Sequence, residues 1–476
     1  MSRLSALLSV LVIWAAIYLP ALGSLEIKGE EGRRILPAVT MLETGNFLVP
    51  QVGSEPYFRK PPLVNWLVAG SFKIFGARNE WTARLPSAIC VLLVAVAFVT
   101  VARDSLGRNG SLVAAIAWLT NFGIIEKGRL IEIEALYVSL TGLAFICWFS
   151  FWQQRRSRWL TWTVPFIFLG LGMLAKGPVH LVFFYAVVLS VLYRRRELRD
   201  LWQPAHFVGV AVMLAIFAAW AVPCLRLMHE ANVAHTWSRQ FSGRLAGTDF
   251  KLGSWLQNIP RGLGYLLPWV LFFPLARRVE FVEEAERRTV RGLAWGIIIS
   301  FLAVSLLPGS LPRYTMPLMV PACCLLAMLV CAERLDLPQR LRLRRPEWLL
   351  PVLRVPLMIA VIVCVGIGIY AAAIVPQLAK RQKVKTMASQ INAAIPATAT
   401  VYAVNPDYQP FLFYLHSHLV YVSDLAGLPA DACYVVVQPE NERALGESER
   451  WAPRRPRSLL RPTDYRGRTV NLFAIE

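Results

Sequence analysis

Residues 130–152 read LIEIEALYVSLTGLAFICWFSFW, and the next six, 153–158, read QQRRSR. Past Glu132 and Glu134 the run carries no charge. At a rise of about 1.5 Å per residue, such a run forms a helix that spans the ~30 Å hydrocarbon core of a bilayer. Arg155, Arg156 and Arg158 then close it with the basic turn that marks the cytoplasmic side. The same pattern recurs at 7–24, 84–102, 111–125, 159–175, 177–193, 205–225, 262–276, 292–308, 313–332 and 355–375, giving eleven candidate spans. The chain of 476 residues is 56% hydrophobic and 17% charged, which predicts a polytopic α-helical membrane protein rather than a soluble enzyme.

Charge then orients the spans. The loops at 103–108, 153–158, 194–200, 277–291 and 334–348 are basic and alternate with the others, so they are expected in the cytoplasm together with the N-terminus. An uncleaved signal-anchor helix fits that N-terminus. The net charge of +20 is read as topology-setting loops and attraction to anionic lipid, not as a nucleic-acid surface. Of the eight cysteines only Cys433 lies in the polar tail, so no disulfide framework is indicated.

Three regions are then expected outside: the first loop at about 25–83, the loop from Arg226 to Arg261, and the tail after Val375. The tail differs in kind. Residues 380–395 read as an amphipathic helix, 399–404, 418–424 and 432–438 as strands, and 407–416 as a helix between two of them. This predicts two domains: a transmembrane domain over 1–376 and a small extracytoplasmic α/β domain over 377–476.

The chemistry-bearing residues cluster at the outer ends of these spans. Glu30 and Glu31 follow the first span, where partial desolvation and the neighbouring Arg33 and Arg34 suit a carboxylate for proton abstraction or for holding a cation; solvated acids opening a helix are the plainer alternative. In EPYFRKPPLVNWL (55–67), Pro61 and Pro62 fix how Lys60 is presented, and an amphipathic stretch follows over 63–75. Lys60 reads as a phosphate partner or as a snorkelling interfacial anchor. Glu132 and Glu134 open the run at 130–152; two positions apart, they face different sides of a helix. Arg129 offers Glu132 a structural ion pair, leaving Glu134 as the functional candidate. Lys176 sits in a tight Lys-Gly-Pro hairpin, the second outer loop supplies His235, Arg239 and Arg244, and Arg313 and Tyr314 stand at a helix mouth. The chain has no Walker loop, dinucleotide fingerprint, CxxC or HExxH, and an outside site lacks nucleotide sugars, so a lipid-borne activated substrate is expected.

These motifs, in order, resemble a known family. The stretch 30–88, with GRLIEIEAL (128–136), GLGMLAKGPV (170–179), RLAG (244–247), YLLPWVLFFP (265–274) and LPRYTMPLMVPA (311–322), is similar to the GT-C membrane glycosyltransferases related to 4-amino-4-deoxy-L-arabinose lipid A transferase and protein O-mannosyltransferase. The resemblance implies an inverting glycosyltransferase of the bacterial inner membrane. Its donor is a polyprenyl phosphate sugar and its acceptor a glycolipid, an envelope glycan or a protein. It implies Glu30, Glu31 and Glu134 as catalytic carboxylates and Lys60, Lys176 and Arg244 as donor or phosphate contacts; Tyr57, Arg59 and Arg313, within or beside these motifs, are counted with the donor contacts, an interfacial anchor being the alternative for Arg313. Two usual Asp positions carry Glu here, at 30 and 134, and the positions that would help hold a divalent metal carry Arg59 and Phe241, so no cofactor is assigned, with a divalent metal left as the alternative. The competing expectation is a lipid-binding or transport protein on the same scaffold that has lost catalysis.

Overall fold

The computed structural model describes residues 2–52, 55–57, 60–228, 250, 252–332, 334–335, 353–406, 409–463, 467 and 469–475. The chain forms two compact units: Met1–Pro20, Arg59–Leu63 and Ser87–Ile369 make up the first, and Ala21–Phe58, Val64–Pro86 and Tyr370–Glu476 the second.

The first unit is helical. Among the described residues seven helices are long and apolar enough to cross a membrane: Glu80–Thr100, Ile133–Gln153, Arg158–Lys176, Pro204–Leu227, Glu284–Ser305, Pro312–Val330 and Arg354–Ala379. Three other expected spans form shorter or more polar helices at Arg3–Tyr18, Arg103–Thr120 and His180–Arg195. The run at 262–276 departs from expectation: helix Asn258–Tyr265 ends, and a 3-10 stretch follows over Trp269–Arg278. Pro268 and Pro274 carry no amide proton to continue the ladder, so apolar composition does not there become one helix.

In lipid every buried polar group needs an internal partner. The indole of Trp14 donates to the Ala88 carbonyl and that of Trp118 to Val91, both at 2.8 Å, while Trp269 donates to Thr120 Oγ1 at 2.9 Å. Val361 and Ile362 are each 61% exposed on helix Arg354–Ile369, a face suited to hydrocarbon. Gly292 and Gly296 seat helix Glu284–Ser305 against helix His180–Arg195. A Cβ on Gly292 would lie 2.6 Å from Val191 Cα, and one on Gly296 would lie 2.7 Å from Val187 Cα. Small residues four apart let two backbones approach, a packing mode that needs no hydrophobic drive. Gly292→Ala and Gly296→Ala should each destabilise the protein by roughly 1–3 kcal/mol, read as a lower thermal midpoint in detergent.

The second unit contains helix Leu63–Phe75, with the bounds its amphipathic pattern predicts: Val64, Val68, Ala69 and Phe72 are buried while Ile74 and Phe75 are exposed. Its five-stranded sheet runs His418–Val422, Thr400–Val404, Tyr434–Val437, Asn471–Ala474, Arg457–Leu460. The first three strands pair in parallel and the last two join antiparallel. Helix Val384–Ala394 matches the amphipathic stretch before the first strand. The expected helix at 407–416 is instead a 3-10 turn over Pro410–Tyr414.

Candidate functional site

Charges separated widely in sequence converge in the first unit. Glu134 lies in the first turn of helix Ile133–Gln153, where the helix dipole favours a carboxylate, and is 8% exposed. Lys176 ends helix Arg158–Lys176, which stops because Gly177 takes a φ of +98°, a conformation that strains a residue bearing Cβ. The Lys176 ammonium lies 3.1 Å from Glu134 Oε1, and the Arg313 Nε lies 3.3 Å from the same oxygen. Arg313 comes from the 3-10 stretch Pro312–Leu318. Lys176 also sits over the rings of Tyr137 and Tyr314, 5.3 and 5.2 Å from their centroids, so two π faces share its charge.

These groups line one cavity of about 710 Å³, and Lys60 and Pro61 line it too. Its remaining wall is mostly apolar, including Val138, Leu181, Phe183, Phe217, Val304 and Leu307. Three cations against one carboxylate leave its charged lining two units positive. An excess of positive charge beside apolar side chains is stabilised by a bound anion, and guanidinium and ammonium groups together suit phosphate. The arrangement can therefore hold a phosphate that carries a long apolar substituent.

Glu132, the N-cap of the same helix, is turned to other partners. Lys127 reaches it at 3.1 Å and Glu126 at 2.8 Å. Burial opposes the Lys127 ammonium, but Glu132 and Glu126 outweigh it and hold its pKa above the ordinary lysine value. Arg129, expected beside Glu132, donates to the carbonyls of Ile17 and Pro20.

The first-loop acids lie in the second unit and differ from one another. Glu31 is 2% exposed and forms a two-pronged pair with Arg84, Nε to Oε1 and Nη2 to Oε2, both at 2.8 Å. The same guanidinium donates to the carbonyls of Leu22, Leu25 and Glu26. Glu30 keeps a side chain 38% exposed, with Arg33 at 3.0 Å and Arg34 at 3.8 Å. Tyr57 is buried, and its hydroxyl accepts from Arg34 Nη1 at 2.5 Å. Arg59, Arg244, His235 and Arg239 lie outside the described residues. Among the described residues no cluster of three or more His, Cys, Asp or Glu side chains is placed to hold a metal.

Four participants, Arg84, Glu80, Lys385 and Tyr414, carry no sign in the sequence of the role they take. Arg84 stands inside the quoted motif but gave no local sign of its partner, Glu31. Glu80, 7% exposed, accepts from Tyr414 Oη at 2.9 Å and pairs with Lys385 at 2.5 Å. Burial foremost, opposed by the Ile27 amide and reinforced by Glu80, pushes the Tyr414 phenol well above the ordinary tyrosine range, so it stays a donor.

Comparison with known proteins agrees with the motifs. Residues 59–222 match the family described as dolichyl-phosphate-mannose-protein mannosyltransferase. The undecaprenyl phosphate-alpha-4-amino-4-deoxy-L-arabinose arabinosyl transferase of Pseudomonas savastanoi pv. phaseolicola is 27% identical over 293 residues, covering 60% of this chain and 54% of that protein. Arabinosyl transferase 2 of Proteus mirabilis is 24% identical over 350 residues, covering 72% of this chain and 62% of that one. The chain thus spans somewhat more than half the length of these curated relatives. The crystal structure of ArnT from Cupriavidus metallidurans bound to undecaprenyl phosphate superposes with a TM-score of 0.71 at 19% identity, covering 98% of this chain and 97% of that one. The chain has that fold, and it resembles the GT-C membrane glycosyltransferases as its motifs indicate.

Proposed function

We propose that the chain is an integral-membrane glycosyltransferase that moves a sugar from a polyprenyl phosphate carrier to an acceptor outside the cytoplasm. The observation that carries this reading is the cavity, lined by Lys60, Lys176 and Arg313 and otherwise mostly by apolar side chains, with Lys176 and Arg313 meeting at Glu134 Oε1. A polyprenyl phosphate matches both parts: phosphate oxygens for the cations, isoprenoid chain for the wall. During transfer the carrier's phosphate leaves the anomeric carbon with the bonding electron pair, and the cations neutralise the charge that develops there. Glu134 limits that positive field and orients Lys176 and Arg313 through their shared contact with its Oε1.

Glu30 takes the acceptor's proton or orients its hydroxyl, the role the first-loop motif implies. Glu31, buried and forked to Arg84, is a positioning carboxylate in this account. The relatives named above act on undecaprenyl phosphate-linked 4-amino-4-deoxy-L-arabinose, which makes that donor the first to test and a lipid A-like glycolipid the first acceptor. The bacterial inner membrane, with the N-terminus in the cytoplasm and the sheet-bearing tail outside, is the matching location.

Native mass spectrometry tests the donor site. The wild-type protein should retain added undecaprenyl phosphate, and Lys60→Ala should weaken that binding by about tenfold or more, the scale of one charge-assisted phosphate contact. Equal retention by both proteins would remove Lys60 from the site.

A further inference from the structure

The segment that carries Glu30 is held on both flanks by groups far away in sequence. On one side, Glu26 caps helix Val384–Ala394: its carboxylate accepts from the amides of Lys383, Val384 and Lys385 at 3.3, 2.9 and 3.1 Å. This satisfies amides that a helix start leaves without partners, and it places an anion where the dipole favours one. The next residue, Ile27, donates its backbone amide to Tyr414 Oη at 2.7 Å, and Gln382 Nε2 donates to the Ser24 carbonyl at 3.1 Å. Tyr414 is fixed in turn by Glu80, at 2.9 Å. On the other side, Arg84 grips Glu31 and three carbonyls between Leu22 and Glu26. Glu30 sits between these anchors, in the 3-10 turn Gly29–Glu31, with its side chain 38% exposed.

We infer that Tyr414 and Arg84 are positioning residues for the Glu30 carboxylate, so that the sheet-bearing tail takes part in catalysis by setting the geometry of the first loop. The inference rests on the reading that Glu30 serves the transfer. It explains why a buried Arg-Glu fork and a Tyr-Glu-Lys cluster are both spent on ten residues of loop: a reacting group misplaced by about 1 Å loses rate steeply. It also predicts what the tail changes. Tail variants should alter turnover and leave the affinity for polyprenyl phosphate as it was, because that affinity is assigned to cavity residues of the first unit.

The test uses the full chain in nanodiscs and the variants Tyr414→Phe, Glu30→Gln and the double variant. Turnover is followed as release of undecaprenyl phosphate from undecaprenyl phosphate-4-amino-4-deoxy-L-arabinose, in membranes that supply the acceptor. Hydrogen–deuterium exchange is read over residues 22–31. Tyr414→Phe should speed exchange there and lower kcat by ~10-fold with KM for the donor held within about twofold. In the Glu30→Gln background it should cause no further loss, because its effect passes through Glu30. Glu80→Gln, which keeps the volume and weakens the same anchor, should follow with a smaller change. Unchanged exchange over 22–31, or a loss in the double variant equal to the product of the single losses, would overturn the inference. Full turnover by Glu30→Gln would instead overturn the role of Glu30, and the exchange result would still decide whether Tyr414 holds the loop.

Discussion

Glu30→Gln is expected to cut sugar transfer by at least ~100-fold, the lower bound of what a positioned acid or base contributes. Gln keeps the volume and the hydrogen-bonding oxygen but cannot take a proton. Glu30 is the more accessible of the two first-loop acids, its side chain 38% exposed against 3% for Glu31. Its nearest cation, Arg33, leaves it open to solvent on the same turn. Undecaprenyl phosphate binding should be unchanged, since Glu30 is not among the residues that line the cavity. Glu30→Asp should retain part of the activity, because the charge survives while the carboxylate withdraws by one methylene. The check is the mass of envelope glycolipids and glycans from cells carrying each variant as the sole copy. The size of the loss also bears on the acceptor: a hydroxyl needs its proton removed, whereas a phosphate is already ionised and would leave Glu30→Gln nearly active.

Arg84→Ala is expected to be the most destabilising single change among the residues discussed. Arg84 and Glu31 have side chains 4% and 3% exposed, so truncating the arginine strands a carboxylate and three carbonyls away from water. Removing one partner of such a pair costs about 3–5 kcal/mol, most of it the penalty of the charge left behind. Two further variants separate that penalty from simple loss of packing. Arg84→Ala combined with Glu31→Ala should recover part of the lost stability, because no unpaired carboxylate remains. Arg84→Lys should recover little, since one ammonium cannot reproduce the fork and reach the carbonyls as well. Thermal unfolding of purified protein in detergent reads all three. A double variant as unstable as Arg84→Ala, or less stable, would contradict this account.

What the sequence revealed followed from locality. Helix Leu63–Phe75 was legible to the residue because its apolar period is a property of thirteen neighbours. Glu134, Lys176 and Arg313 were each legible as charges at helix mouths, but their meeting at one oxygen of Glu134 depends on how helices pack, which no local pattern encodes. Arg84 illustrates the same limit, since its partner Glu31 lies 53 residues away. At 262–276 the run is apolar enough for a span, yet Pro268 and Pro274 break it. The tail strands at 457–460 and 471–474 are only four residues long each, too short for their alternation to register in the sequence.

The proposed function requires that the cavity serve group transfer and not lipid storage alone. The most direct measurement gives the purified chain undecaprenyl phosphate-4-amino-4-deoxy-L-arabinose with lipid A and follows both lipids by mass spectrometry. The donor should lose its sugar to yield undecaprenyl phosphate while the acceptor gains the mass of one aminoarabinose residue, and Glu30→Gln should lower both changes by at least ~100-fold where a hydroxyl of lipid A accepts the sugar. Donor that is bound in a Lys60-dependent way but recovered with its sugar intact, with no acceptor gaining mass even in whole membranes, would contradict it and leave a lipid-binding protein on a glycosyltransferase fold.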